Sequence, residues 1–368
     1  MAQVVHCDTG DQFLTNDVLR DVLDRLDGAT LARASCVSKQ FRSTGYEEAF
    51  WEKLCNERWP STMEEPVKML VSTAGGFKKL YNNSFPFILC DSHCGSGGED
   101  NLGEAISSSD FVSIVDVTYG GEPVLSRVVE GVSGAIAMCG PLVDILEVGR
   151  SESASDGHGA GASKENDDSP LITIHTKLPR VSSIAQERKD GRFWSALCSH
   201  LRLSWILVNR KTQQMVNLGS WKPLGGIRHR PCGDDFLLRF GSILPTSSTP
   251  VHCNIVMRCI TNTSMAVGSE SSEGENAATT VVRVTELGMH LEDVYGVHLR
   301  GSQAISLLSR VMNCDKTVDE SKVSASYKSF MATQISNQES LVRRENHRQT
   351  ASAVFFVSVF VIAMSFLV

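Results

Sequence analysis

The chain opens with apolar residues spaced as on one face of an α-helix. They recur at i, i+1, i+4, i+5 and i+8, as Val18, Leu19, Val22, Leu23 and Leu26. Thr15 or Asn16 can cap this helix, Asp17 suits its first turn, and Asp27-Gly28 ends it. The pattern therefore predicts an amphipathic helix close to the N-terminus.

Three shorter helices are predicted to follow. The first runs from Thr30 towards Cys36 and the second from Val37 to about Thr44. The third begins at Phe50-Trp51 and is stopped near Trp59-Pro60. The first sixty residues are thus expected to be all α.

The middle of the chain has the pattern of β-strands. Its apolar segments are short, rich in β-branched and aromatic residues, and separated by Gly, Pro or Asp. A hairpin is expected across Arg210–Thr212, and the absence of long intervening helices favours a β-sandwich or barrel. The predicted strands are Phe111–Tyr119, Leu203–Asn209, Gln214–Leu218, Phe236–Phe240, Val251–Ile260, Val281–Thr285 and Val294–Leu299.

Polar segments interrupt and follow these strands. Ser151–Ser169 and Gly268–Ala278 are acidic, lack apolar area and are predicted to be disordered loops. Gln303–Met312 is predicted to be a helix, and residues 313–350 form a polar helical or flexible stalk. The stalk ends at a basic group that includes Arg343, Arg344 and Arg348.

The last 18 residues, 351–368, contain no charge, Pro or Gly. As a helix they would be about 27 Å long, near the thickness of a bilayer core. Together with the basic group before them, they predict a single transmembrane tail anchor that leaves the rest in the cytosol or nucleoplasm. The positions expected in the membrane include Ala351, Phe355, Phe356, Phe360, Ile362, Phe366 and Val368.

Charge and candidate chemistry narrow the function. With 35 basic and 42 acidic residues the net charge is −7, which argues against a nucleic-acid binder. Residues 1–10 do not form a secretory signal, so the 11 cysteines are expected to be reduced. The Cys90–Cys94 cluster lacks a second cluster for zinc, and the glycines at 157, 159 and 161 lack the context of a dinucleotide loop. We expect no metal, no cofactor and no catalytic residue.

The N-terminal block resembles an F-box. Leu14-Thr15-Asn16-Asp17-Val18-Leu19 corresponds to the opening Leu-Pro-x-Asp-x-Leu of that family. Leu31, then Val37-Ser38-Lys39-Gln40-Phe41-Arg42, and finally Phe50-Trp51-Glu52-Lys53-Leu54 follow in the family's order. Thr15 stands where Pro is usual and Phe41 where Trp is usual.

The resemblance implies the substrate-recruiting subunit of an SCF (Skp–cullin–F-box) ubiquitin ligase. F-boxes bind a Skp-type adaptor, which links them to a cullin, and the following domain selects a protein substrate whose identity the sequence does not give. A small three-helix unit cannot bury all its apolar residues, so some must face the adaptor. The residues expected to bind the adaptor are Leu14, Asp17, Val18, Leu19, Val22, Leu23, Leu26, Leu31, Val37, Phe41, Trp51 and Leu54.

The whole plan is similar to a plant F-box group that includes cytokinin-induced members with a hydrophobic tail. The expected class is α+β: a flexible N-terminus at 1–12, an F-box at 13–60, a β-rich recognition domain at 61–312, the stalk and the tail. Two alternatives stay open: a membrane-tethered module that binds a glycan or protein with a vestigial F-box, and an enzyme on the β-rich domain. Trp194, Trp205 and Trp221 are expected in the core rather than on a sugar-stacking surface.

Overall fold

The computed structural model describes residues 15–90, 106–132, 143–146, 171–179, 192–229, 235–263 and 277–365. The chain divides into two compact units, Met1–Asn83 and Ser84–Val368. We call them the helical unit and the β-rich unit. Both predicted loops lie outside the described residues, except that Ala277 and Ala278 begin a strand.

The helical unit is built from short helices, and the four predicted ones are confirmed. The first ends at Leu23, earlier than Leu26, because Arg25 and Leu26 bond back to the carbonyls of Val22 and Leu23 in a tighter turn. Two further helices after Pro60–Met63 were not predicted. The helices are α1 (Asn16–Leu23), α2 (Gly28–Ala34), α3 (Lys39–Gly45), α4 (Glu48–Arg58), α5 (Glu65–Thr73) and α6 (Phe77–Ser84).

Aromatic rings fill the centre of this unit. The ring centroids of Trp51 and Trp59 lie 5.4 and 5.9 Å from that of Tyr81 on α6. The Trp51 indole N–H donates to the carbonyl of Gly45 over 3.0 Å, so its buried polar group is satisfied. Gly28 lies against the phenol of Tyr81, where a Cβ would clash with the ring. α6 therefore completes the core on which α2 and α4 rest.

The β-rich unit contains the strands that the middle of the sequence predicts. The segments at Phe111, Leu203, Gln214, Phe236, Val251 and Val281 are confirmed as strands, while Val294–Leu299 forms only an isolated bridge from His298 to Glu292. The described strands are β1 (Phe87–Ile88), β2 (Phe111–Tyr119), β3 (Glu122–Glu130), β4 (Val143–Asp144), β5 (Leu171–Pro179), β6 (Leu201–Asn209), β7 (Gln214–Asn217), β8 (Gly225–His229), β9 (Asp235–Leu244), β10 (Val251–Thr263), β11 (Ala277–Glu292) and β12 (Lys316–Thr317).

These strands form two large antiparallel sheets and one small pair. The four-stranded sheet has the order β3-β2-β6-β7, and β6–β7 is the predicted hairpin, with Asn209 opposite Gln214. The six-stranded sheet has the order β4-β11-β10-β9-β8, with β5 also paired to β11. β1 pairs with β12.

One apolar core joins the two large sheets. Phe111 and Trp205 from the smaller sheet and Phe240 and Ile255 from the larger one belong to the same buried cluster. It also contains Leu307, from the helix α8 (Gly301–Val311), which confirms the helix predicted at Gln303–Met312. A further helix, α7 (Arg192–His200), leads into β6. The α+β prediction thus fits the observed arrangement of N-terminal helices followed by sheets.

A 46-residue helix, α9 (Glu320–Ser365), covers the predicted stalk and most of the apolar tail. Its first part is fastened to the β-rich unit: Tyr327 and Phe330 are buried with Ile243 and Val294. Further contacts are hydrogen bonds from Gln334 to Glu292 (2.7 Å) and from Asn337 to the carbonyl of Val294 (3.1 Å).

The prediction of a tail-anchored transmembrane chain is wrong. None of the helices that the structure describes is both long enough and apolar enough to cross a bilayer. The membrane-spanning element of the expected fold class and the membrane localisation are withdrawn.

Candidate protein-interaction site

Helix α1 carries two adjacent apolar stripes, of which one is buried and the other is exposed. Leu19 and Leu23 are buried, whereas Val18 and Val22, one position earlier in each turn, are each 48% exposed. A helix of eight residues packed on one side cannot cover both stripes. The Val18/Val22 stripe is therefore an apolar surface that the helical unit itself leaves unpaired.

Two ion pairs hold α1 against α4. Arg20 bonds to Glu47 at 2.7 Å, and Lys53 bonds to Asp24 at 2.6 Å. Both pairs are solvent-exposed, so each contributes at most about 1 kcal/mol to stability. They link α1 to the region of α4, and Val18 and Val22 lie on the exposed side of α1.

The start of α3 adds a second apolar contribution. Val37, between α2 and α3, is 72% exposed. Ser38 caps α3 by accepting from the Phe41 amide over 3.2 Å, and Gln40 donates to Asn16 at the start of α1 over 3.1 Å. The beginnings of α1 and α3 are thereby joined.

The residues predicted to bind the adaptor divide by burial. Asp17, Val18, Val22 and Val37 are exposed, and Leu26, Phe41 and Leu54 are partly buried. Leu19, Leu23, Leu31 and Trp51 are buried, each at most 1% exposed, and Leu14 lies outside the described residues. Because a buried side chain cannot touch a partner without unfolding, the exposed residues are the ones available for direct contact. The role of the set in adaptor binding stays a prediction.

The two departures from the F-box pattern keep the local geometry. Thr15 has φ −58° and ψ 143°, which are values that proline adopts at this place. Its side chain makes no capping hydrogen bond, so the predicted cap is absent. Phe41 is partly buried.

The electrostatics of the unit are structural rather than catalytic. The amide and hydroxyl of Thr30 bond to the carboxylate of Asp27, which caps α2, and lower its pKa. Burial raises the pKa of the Cys55 thiol far above its usual value and that of Tyr81 to about 12. A buried thiol held in its neutral form is a poor nucleophile.

The described residues give little support to the other candidate sites. In the described part of the chain no three or more His, Cys, Asp or Glu residues are grouped as metal ligands. Of the Cys90–Cys94 cluster only Cys90 is described, and the glycine run at 157–161 lies outside the described residues. Trp205 is fully buried and its indole N–H donates to Ser113 over 3.1 Å, which confirms that it is a core residue. Trp221 is partly buried, and the side chain of Trp194 is not described.

The positions expected in a membrane lie at the end of α9. Ala351, Phe355 and Phe356 are exposed. Phe360 and Ile362 belong to the same helix, and Phe366 and Val368 lie outside the described residues.

Sequence analysis missed the contribution of α6. Phe77, Leu80 and Tyr81 recur at i, i+3 and i+4 and are all buried, so their spacing could have revealed a helix after residue 60.

Comparison with known proteins shows what this chain is similar to. The F-box domain family matches residues 13–53, which confirms the F-box predicted from the sequence. F-box protein At3g44326 of Arabidopsis thaliana is 26% identical over 95% of this chain and 88% of its own length. F-box protein At2g27310 of the same plant is 23% identical over 97% of both chains. No solved structure matches the chain.

These matches support the interpretation of the chain as a plant F-box protein with an adaptor role in SCF ligases. Over 18% of its length, this chain is also 34% identical to F-box protein GID2 of rice. F-box proteins are generally non-catalytic, which agrees with the expectation that this chain is not an enzyme.

Proposed function

We propose that this protein is a substrate receptor of an SCF ubiquitin ligase and binds a Skp-type adaptor through the exposed side of α1 and the start of α3. The observation that carries the proposal is the exposed Val18/Val22 stripe inside the segment that matches the F-box domain. Exposed aliphatic side chains on a fixed helix suit docking against an apolar partner surface.

The β-rich unit would select the protein to be ubiquitylated. Its two sheets share one apolar core and form a unit separate from the F-box, as a receptor with two tasks requires. The chemistry of ubiquitin transfer would belong to the conjugating enzyme held by the cullin. The finer resemblance to cytokinin-induced members stays a prediction, which transcript levels after hormone treatment would test.

The test is adaptor binding by the full chain, measured by calorimetry with a purified Skp-type adaptor. The double variant Val18→Asp/Val22→Asp should weaken binding at least about tenfold, because it places two charges in an apolar contact. Leu19 and Leu23 are unsuitable for this test, since charging a buried residue would unfold the unit.

Met69→Asp is the matched control. Met69 lies on α5 in the same unit, is 69% exposed, and falls outside the segment that matches the F-box. It should leave adaptor affinity unchanged. Equal loss in both variants, or full binding by the double variant, would contradict the surface proposed here. Adaptor binding without cullin recruitment would favour the vestigial F-box alternative.

A further inference from the structure

A short antiparallel pair joins the two ends of the β-rich unit. β1 precedes the other strands of the described chain and β12 follows them, and each is only two residues long. Ile88 of β1 lies opposite Lys316 of β12. The pairing extends one residue further, because the amide of Leu89 donates to the carbonyl of Asp315 over 2.8 Å. The ends of the unit are therefore linked by a pair that is very short for a sheet.

The next position of this register holds two cysteines. Beyond Leu89 and Asp315 come Cys90 and Cys314, which face each other when the register is continued. They follow a hydrogen-bonded pair, so they form a non-hydrogen-bonded pair, whose Cα atoms lie about 4.5 Å apart. Disulfides join residues whose Cα atoms are about 4.4–6.8 Å apart. The backbone therefore places the two cysteines at a separation that a disulfide can span.

The surroundings of the two thiols allow them to react. Both residues are partly buried and pack against apolar clusters, so a small oxidant can still reach them. Lys316 lies two residues beyond Cys314, on the same face of the strand. Burial lowers the pKa of Lys316 to about 8, and the nearby Cys314 acts in the opposite direction. The ammonium group in turn favours the thiolate of Cys314, which is the reactive form.

The present contact of Cys314 is easily given up. Its Sγ lies 3.9 Å from the carbonyl oxygen of Arg310, in the last turn of α8. A thiol is a weak donor, so little is lost when Sγ turns from this carbonyl towards the opposite strand.

We propose that Cys90 and Cys314 form a reversible disulfide when a peroxide oxidises the protein. The Cys314 thiolate attacks a peroxide oxygen, the O–O bond breaks, and the sulfur becomes a sulfenic acid while hydroxide leaves and is protonated to water. The Cys90 thiol then attacks the sulfenic sulfur, forms the S–S bond and releases a second water. The two sulfurs lose two electrons and the peroxide gains them.

The disulfide would fasten the β-rich unit at its weakest pair. It would close the chain from residue 90 to residue 314, which is most of this unit, and a disulfide that closes a long loop restricts the unfolded chain strongly. Oxidation should therefore stabilise the β-rich unit. The inference is independent of the adaptor surface on α1, because both cysteines belong to the β-rich unit.

The first test maps the disulfide in the full chain. The protein is reduced with dithiothreitol, desalted, treated with hydrogen peroxide, blocked with N-ethylmaleimide and cut with trypsin for mass spectrometry. We expect the peptide Val311–Lys316, which contains Cys314, to be linked to the peptide that contains Cys90. Dithiothreitol should separate them again.

Two serine variants assign the link, because the peptide with Cys90 also contains Cys94. Cys90→Ser should abolish the link, whereas the matched control Cys94→Ser should retain it. Oxidation of exposed Cys36 shows in each sample that the peroxide has acted.

The second test is the midpoint of thermal unfolding of the β-rich unit in the full chain. The oxidised wild type should unfold at least about 5 °C above the reduced protein. Cys90→Ser and Cys314→Ala should each remove this shift, and Cys36→Ser should keep it. Circular dichroism of the reduced variants verifies that they are folded.

Three outcomes would overturn the proposal. The first is that Cys90 and Cys314 stay reduced when Cys36 has been oxidised. The second is a link to Val311–Lys316 that survives in Cys90→Ser and is lost in Cys94→Ser. The third is an oxidised protein whose unfolding midpoint equals that of the reduced protein, or a shift that Cys90→Ser and Cys314→Ala both retain.

Discussion

The two units of this protein are stabilised over different distances in the sequence. In the helical unit, caps and turns such as the bond from Thr30 to Asp27 lie within a few residues. In the β-rich unit, β2 pairs with β6 so that Phe111 lies opposite Asn209, almost a hundred residues away. Local chemistry specifies the helices, whereas the sheets depend on pairings that form only in the complete unit.

The units also differ in how they use apolar residues. β2 and β6 are buried along almost their whole length, on both faces, and so contribute to stability. α1 buries one apolar stripe and exposes the other. The exposed stripe of α1 is therefore available to bind a partner, whereas β2 and β6 expose almost no apolar surface.

The largest loss of stability is expected at a glycine that lies directly against the backbone of the neighbouring strand. Gly241, in β9, has φ +128°, and a Cβ there would clash with the carbonyl of Cys253 in the adjacent strand β10. Gly241→Ala should lower the free energy of unfolding of the β-rich unit by about 4 kcal/mol or more. Chemical denaturation followed by the fluorescence of buried Trp205 measures it.

The matched control is Gly120→Ala. Gly120 also has positive φ (+62°), in the turn between β2 and β3, but a Cβ there meets nothing within 4 Å. Its cost should be about 1 kcal/mol. Equal costs at the two glycines would show that conformation, and not the contact with β10, decides the effect.

A smaller effect separates the two stripes of α1. Leu19→Ala should cost the helical unit about 3 kcal/mol, because it leaves a cavity in the core, whereas Val18→Ala should cost less than about 0.5 kcal/mol. Hydrogen exchange of the α1 amides reads both changes. Similar protection in the two variants would mean that α1 packs differently from the arrangement described.

The smallest of the three effects concerns pH in the β-rich unit. His252 is buried against Tyr327 and Phe330, with ring centroids 5.3 and 5.5 Å away, and its Nε2 has no hydrogen-bond partner among the described residues. Burial, with a smaller contribution from Arg239, lowers its pKa from 6.5 to about 3. Below pH 6.5 the His252 imidazole is therefore protonated in the unfolded chain but stays neutral in the folded chain.

This contribution to stability is complete above pH 6.5 and is lost as the pH falls towards 3. Between pH 7 and about pH 5 the loss should be about 2 kcal/mol. His252→Phe keeps an aromatic ring at this position and should remove that part of the slope in denaturation midpoints taken against pH. An unchanged slope would assign it to other groups.

The elements of the fold were more predictable than their connections. The helices near residues 18, 30, 39 and 50 follow from local periodicity, and β2 was predicted with its observed bounds. The neighbours of β2 could not be predicted, since β3 and β6 are chosen by packing across the unit. Val294–Leu299 has β-branched residues but becomes the turn before α8, where the Asp293 carboxylate accepts from the amides of Tyr295 and Val297.

The candidate site was predictable in place and only partly in detail. Family spacing located the F-box, which the comparison confirms. Periodicity could not separate Val18 from Leu19, because both lie on the apolar side of α1 and only the packing of its neighbours buries one of them. The transmembrane prediction rested on the apolar run alone and was wrong, since none of the helices that the structure describes is long and apolar enough to cross a membrane.

The contact between Gly28 and Tyr81 has a practical consequence for dividing the protein. Tyr81 lies beyond the residues that match the F-box, yet its ring is seated on α2 and flanked by Trp51 and Trp59. A fragment trimmed to the matched segment would present these surfaces to water and would be prone to aggregate. Binding studies on an isolated F-box should therefore use a fragment that extends to Asn83, and a negative result from a shorter one would report on folding and not on affinity.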